Sequence, residues 1–260
     1  MSLDHSYHDR TFRVTDPDAR VRAPKNLLKF APVQPGEDYR RIPLGAEVRV
    51  SEVAVLPMGS DAVRVFGLAT SLDGATRYGW TSTRNFEDSF RNVTLGRIEP
   101  AVGAGRFAPT ATWEAGDYRG QAPLLSVLDR GLRLKRLTEP LAERWLGMVD
   151  AASADGVTLH LSSGFRSYGQ QKRLFDGWKR QLPGFHLAAR PGHSNHQSGL
   201  AIDISVGGGS GNPPYDWLAA NATAHGLVRT VRSEVWHWEF LPERARQARG
   251  RGSHKTWDLD

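Results

Sequence analysis

Apolar and polar residues alternate with a period of two through the first third of the chain. Glu47-Val-Arg-Val50, Ala62-Val-Arg-Val-Phe66 and the aromatic run Tyr78-Gly-Trp-Thr81 each read as short strands. Gly and Pro punctuate them at Pro35-Gly36, Pro57 to Gly59 and Asp73-Gly74, with no helical stretch between. The pattern predicts a small all-β domain, barrel or sandwich, over residues 21–95. Residues 1–20 are polar and charged and are expected to form a flexible arm. Breakers then crowd together (Gly96, Pro100, Gly103, Gly105, Pro109, Gly116 and Gly120), which predicts a linker over 96–120.

From residue 121 to 242 the period changes. Leu141, Trp145, Met148 and Val149 lie at helical spacing behind Thr138, a capping residue, and Pro140, tolerated in a first turn. Val157-Thr-Leu-His-Leu161 alternates as a strand. Ser167-Tyr-Gly-Gln170 is a capping box opening a helix with Leu174, Phe175 and Trp178 on its buried face. Leu200 to Val206 is the next strand, and a helix from about Tyr215 to His225 stops at Gly226. Strands over Leu227–Val231 and Val235–Phe240 finish the fold. This order of elements indicates an α+β domain around an antiparallel or mixed sheet flanked by helices. Residues 243–260, with Arg244, Arg246, Arg249, Arg251 and Lys255, are expected to be a solvated, mobile basic tail.

Composition narrows the chemistry. With 260 residues, 39% hydrophobic and 24% charged, the chain can build a proper core. No run approaches the roughly 20 apolar residues of a membrane span, and the first ten residues show no secretory signal, as also for a chain whose signal has been removed. Zero cysteines exclude disulfides and thiolate metal sites, leaving His and carboxylates as ligands. A net charge of +6 suits an anionic cell envelope. Nucleic acid is not the expected partner, because aromatic residues are not interleaved with basic runs and no finger or helix-turn-helix signature appears.

The candidate chemistry lies in two stretches. Arg190-Pro-Gly-His-Ser-Asn-His-Gln-Ser-Gly-Leu-Ala-Ile-Asp203 carries two imidazoles, His193 and His196, in a Gly/Ser loop running into an apolar strand. Glu234-Val-Trp-His237 follows about thirty residues later. On the first strand Ile202, Ile204 and Val206 share the core face, so Asp203 points across the sheet with Ala201, and small Ala201 and Gly199 are expected to leave room there. A buried carboxylate needs a partner or a metal. Three N/O ligands plus a spare carboxylate make up the inventory of a hydrolytic zinc site. Glu234 and His237 can converge only if Glu234 sits in a loop or bulge before its strand, since regular alternation puts them on opposite faces.

Ser194-x-His196-x-x-Gly199-x-Ala201-x-Asp203 followed by Glu234-x-Trp236-His237 resembles the signature of the zinc D-alanyl-D-alanine peptidases of the VanX/VanY type. Their fold is shared with lysostaphin-type endopeptidases and the hedgehog N-terminal domain. Pro191-Gly192, Gly164-Phe-Arg-Ser-Tyr168, Gln171 and Leu174-Phe175 are most similar to the carboxypeptidase branch, and the resemblance covers roughly residues 120–241. It implies one zinc ion per chain held by His196, Asp203 and His237, with Glu234 as catalytic base and acid. It implies that Arg166 steadies the substrate carbonyl and the oxyanion, and that Ser194 and Gln171 contact substrate. His193 becomes a rim residue. The stretch between Gly226 and Glu234 is short for the carboxypeptidase branch. The expected reaction is removal of terminal D-Ala from peptidoglycan stem peptides in the cell envelope, periplasmic or extracellular, by a monomer. The rivals are an L-Ala–D-Glu endopeptidase and a non-catalytic zinc module that binds the wall. Ile42-Pro-Leu-Gly-Ala-Glu-Val48 with Tyr78-Gly-Trp-Thr-Ser-Thr-Arg-Asn-Phe86 also resembles the bacterial Src-homology-3-like domains attached to wall hydrolases, which implies a wall-binding N-terminal domain.

Overall fold

The computed structural model describes residues 11–15, 19, 21–22, 41–57, 63–82, 85, 94–128 and 134–259. The chain divides into two compact units: residues 5–93 with 131–134, and chiefly residues 94–130 with 135–260.

In the first unit the period-two pattern becomes one antiparallel sheet. Its strands are β1 (Thr11–Arg13), β2 (Val21–Arg22), β3 (Glu47–Pro57), β4 (Val63–Ser71) and β5 (Arg77–Ser82), in the order β1-β3-β4-β5-β2. Phe66, Leu68 and Trp80 pack together as its apolar cluster. The Asp73-Gly74 break is the β4–β5 turn, where Gly74 takes φ +73. Pro35-Gly36 lies outside the described residues. The all-β expectation holds, while the likeness to Src-homology-3-like domains is not confirmed by this sheet. Part of the expected arm differs. β1 pairs with β3, and Phe12 and Val14 are buried, so these apolar residues tie residues 11–14 down.

The second unit contains β6 (Thr94–Ile98), β7 (Ala111–Glu114), β8 (Asp117–Gln121), β9 (Leu124–Leu128) and β10 (Leu134–Thr138). There follow α1 (Glu139–Ala154), β11 (Leu161–Ser163), α2 (Tyr168–Lys179), β12 (Ala201–Ile204), α3 (Pro213–Asn221), β13 (Leu227–Val228), β14 (His237–Phe240) and α4 (Pro242–Gly250). From α1 to β14 the order is the one the sequence indicates. β11-β12-β14-β13 form an antiparallel sheet, β10-β9-β6 a second sheet, and β7-β8 a hairpin. Ile202 and Ile204 of β12 and Trp238 of β14 join Leu141, Trp145 and Met148 of α1 in the main core.

Several local expectations shift. Thr138 does occupy the N-cap of α1, but its hydroxyl donates to Gly199 O at 2.6 Å rather than to the helix. The Ser167–Gln170 capping box forms in both directions. The buried positions of α2 are Gln171 and Gly177, while Leu174, Phe175 and Trp178 are half-buried. The reason is Phe185, whose ring covers Gly177 so closely that a Cβ there would lie 2.2 Å from it. The strand expected at Val157–Leu161 begins only at Leu161, because Val157 N still bonds Ala152 O as α1 unwinds through Gly156.

The stretch expected as a linker is built into this unit: β7-β8 packs on the loop before β12, with Gly116 N donating to Gly192 O at 2.9 Å. The expected mobile tail also differs. Ala245 and Ala248, three apart on α4, are buried against Val228 while the arginines face outward. Small residues at helical spacing inside a basic run carry that seat, and composition alone hides them.

Candidate metal centre

Each proposed ligand arrives on a different element. His196 sits in a 3-10 turn, Asn195–Gln197, Asp203 in β12 and His237 in β14. Asp203 and His237 are cross-strand partners, so both project from the face opposite Ile202 and Trp238. His196 Nε2 lies 3.2 Å from Asp203 Oδ2, and His237 Nδ1 lies 3.0 Å from Asp203 Oδ1. One ligand atom from each of the three falls within 4.8 Å of the others, and both imidazoles are buried.

The other nitrogen of each ring is directed elsewhere. His196 Nδ1 lies 2.8 Å from Gly164 O, which makes it the donor and leaves Nε2 as the lone-pair nitrogen. His237 Nε2 lies 3.4 Å from Glu239 Oε1, leaving Nδ1 to face Asp203. Glu239 in turn accepts from Asn195 Nδ2 at 2.6 Å and from the Thr230 hydroxyl. Outer partners of this kind fix tautomer and ring orientation at metal sites. Sequence reasoning missed Glu239, although strand alternation two residues after His237 marks its face.

Charge at the site favours a cation. Burial would raise the Asp203 pKa, but hydrogen bonds from His196 and His237 hold it well below the usual carboxylate range. Burial pulls His196 down, toward the neutral imidazole a metal needs. Burial also pulls on His237, yet the hydrogen bonds to Asp203 and Glu239 win and raise it to about 9. A cluster that draws a proton onto a buried imidazole exerts the attraction a divalent cation would use. Oxygen and nitrogen donors without thiolate fit zinc, and with three protein ligands such an ion would keep the open position of a catalytic centre.

Glu234 lies in the turn before β14, not in the strand, with its amide bonded to Val231 O and its carbonyl accepting His237 N at 3.2 Å. That turn brings Glu234 Oε2 to 3.9 Å from His237 Nδ1, on the half-exposed rim of the cluster. Arg166 follows β11. Its backbone N bonds His196 O at 3.0 Å, and its Nη2 lies 3.1 Å from Ser163 Oγ and 3.5 Å from Asp203 Oδ2. Burial pulls its pKa down while Asp203 and Glu234 hold it up. Ser194 is the buried N-cap of the ligand turn. Gln171 is wholly buried, and its Nε2 donates to Ala189 O at 2.9 Å, anchoring the start of the ligand loop. His193 is outside the cluster and lies over Gly116, where an added Cβ would meet its ring at 2.9 Å.

An antiparallel α+β unit with a buried His–Asp–His group and an unligated glutamate at its rim has the makings of a hydrolytic metal centre. Residues 134–243 match the family model "VanY: D-alanyl-D-alanine carboxypeptidase". A D-alanyl-D-alanine carboxypeptidase of Enterococcus faecalis is 30% identical over 141 residues, 45% of this chain and 52% of that protein. The chain thus spans about half the length of that relative. A structure of VanYB in complex with D-alanine-D-alanine is 23% identical with a TM-score of 0.44, covering 58% of this chain and 96% of that one. A mutant of the vancomycin-resistance D,D-pentapeptidase VanY with Zn(II) is 25% identical with a TM-score of 0.41, covering 56% and 95%. Residues 134–243 are thus similar to the VanY-type D-alanyl-D-alanine carboxypeptidases.

Proposed function

We propose that this protein is a zinc-dependent D,D-carboxypeptidase that removes the terminal D-alanine from peptidoglycan stem peptides in the cell envelope. The observation that carries the reading is the convergence of three buried N/O donors beneath an unligated carboxylate, Glu234. The family-model match and the D-alanyl-D-alanine carboxypeptidase of Enterococcus faecalis support the substrate class.

His196 Nε2, Asp203 and His237 Nδ1 would hold the ion. Zinc bound there would supply Lewis acidity toward a carbonyl oxygen and would lower the pKa of water toward about 7. Glu234 takes a proton from the attacking water as its oxygen bonds to the carbonyl carbon. The same carboxyl returns that proton to the amine nitrogen as the C–N bond breaks, releasing D-alanine and a shortened peptide carboxylate. The guanidinium of Arg166 faces the negative charge on the carbonyl oxygen. Ser194 is assigned to substrate contact, and Gln171 to holding the loop that presents it.

The test is incubation of zinc-loaded protein with purified peptidoglycan and defined stem peptides, read by mass spectrometry. Loss of one alanine from the pentapeptide supports the reading, and release of the whole stem would mark an endopeptidase instead. Binding without cleavage would mark a wall-binding zinc module. Glu234→Ala is expected to keep its zinc and lose nearly all turnover.

A further inference from the structure

The turn that carries Glu234 lies outside the ladder between β13 and β14. Pairing of β13 with β14 ends at Val228↔Glu239, and β14 begins only at His237. Ile204 N of β12 holds the far end of this stretch, donating to Trp236 O at 2.9 Å, and one buried side chain holds the near end. Arg229 Nη2 donates to Val231 O at 3.2 Å and to Arg232 O at 3.1 Å, while its Nη1 donates to the Tyr215 hydroxyl at 3.0 Å. Val231 O also accepts the Glu234 amide, and Glu234 O accepts the His237 amide. A hydrogen-bonded path therefore runs from the Arg229 guanidinium through the Glu234 turn to a proposed ligand.

Arg229 is itself fixed by the end of the chain. Its N donates to His254 O and its O accepts Thr256 N, both at 2.9 Å, forming an isolated parallel bridge with Lys255. The Trp257 ring lies 5.2 Å from the Arg229 guanidinium and 5.5 Å from that of Arg232, so one ring makes cation–π contacts with both. His254 Nε2 lies 3.2 Å from the Tyr215 hydroxyl. The segment closes on itself, with Arg251 Nη1 donating to the carbonyls of Asp258 and Leu259 and Ser253 Oγ bonded to Asp258 Oδ2. All of it lies beyond residue 243, where the family match stops.

We propose that Ser253–Leu259, acting through Arg229, is a positioning clamp that sets the Glu234 carboxylate for proton transfer. This rests on Glu234 being the general base. A planar guanidinium serves two carbonyls and a phenol at once, which the point charge of a lysine does not. Small displacements of a catalytic group from distant changes can cost about 10²-fold in rate. The clamp should therefore act on kcat and leave the ligands, which sit on β12, β14 and the 195–197 turn, in place.

The experiment uses the zinc-loaded full chain, Trp257→Ala, Arg229→Lys and a chain ending at Gly252. For each, kcat, KM, zinc content, melting and hydrogen exchange of residues 229–236 are measured. We expect kcat to fall about tenfold in Trp257→Ala and up to about 100-fold in the shortened chain, with KM and zinc content unchanged. Exchange should quicken in 229–236 and not in 195–205, with Arg229→Lys falling between. In a Glu234→Ala background, shortening the chain should lower the residual rate no further. Unchanged kcat in folded Trp257→Ala would overturn the proposal, as would zinc loss with kcat and KM changing together, or a further loss in the Glu234→Ala background. If the shortened chain does not fold, Trp257→Ala carries the test, since it keeps every backbone contact. A fully active Glu234→Ala would instead overturn the base assignment, and hydrogen exchange would still report whether the clamp orders the turn.

Discussion

Glu239 stands behind His237 on the same face of β14, its Oε1 3.4 Å from the ring nitrogen that points away from Asp203. Three groups hold that carboxylate in turn, His237, Thr230 and Asn195, and together they keep its pKa below the ordinary value against the pull of burial. Such a carboxylate fixes the imidazole's tautomer and raises its basicity as a ligand. Glu239→Ala should weaken zinc binding about 10- to 100-fold, measured by competition with a chelator. Glu239→Gln, which keeps an acceptor oxygen, should lose less. Equal affinity in all three proteins would rule out this role.

Arg166 offers a different separation. Its guanidinium borders Asp203 without being a ligand. Arg166→Met should retain zinc and lower kcat about 10²- to 10³-fold. Steady-state kinetics with a D-Ala–D-Ala peptide, beside metal analysis, is the check.

Gly199 takes φ +81, and a Cβ there would lie 2.4 Å from the Thr138 methyl group. The glycine thus makes room for Thr138, whose hydroxyl bonds the Gly199 carbonyl, rather than for the metal cavity. Gly199→Ala should destabilise the protein by about 1–3 kcal/mol, read from denaturant unfolding. A Thr138→Ser, Gly199→Ala pair should recover part of the loss, because it removes the methyl and keeps the hydroxyl.

His254 supplies a pH dependence away from the metal. Burial first, then the cations Lys255 and Arg229, lower its pKa to about 4, with Asp258 opposing. Tyr215 and Trp238 pack on the ring from α3 and β14. Between pH 6.5 and 4 the unfolded chain takes up a proton that the folded chain refuses, so this contribution is present above 6.5 and is lost as pH falls. Melting of the wild type should therefore drop more steeply across that window than melting of His254→Gln. Parallel curves would show that His254 does not titrate in this way.

The convergence of His196, Asp203 and His237 was legible because it is written in local spacing. Asp203 follows from strand parity, and Glu234 could meet His237 only from a turn, which is where it lies. Capping chemistry also reads locally, as Ser167–Gln170 shows. What the sequence hid depends on contacts between distant residues. The glycines at 116 and 120 resemble a linker, yet Gly116 meets Gly192 and His193 by close approach of two backbones. The basic run after Glu243 reads as solvated because charge dominates its composition, while two alanines and Trp257 hold it to the fold. Glu239 was overlooked because a carboxylate beside a ligand carries no motif of its own.

The pairing of Asp203 with His237 has a consequence for folding fidelity. Side chains in a strand change faces with every residue, so a slip of one position between β12 and β14 would turn one ligand toward the core and bring Ile202 or Trp238 out. A mis-registered molecule would therefore be unable to take up the ion. Under the proposed zinc function, the fraction of protein that takes up metal would then report how much of it has the sheet in its proper alignment.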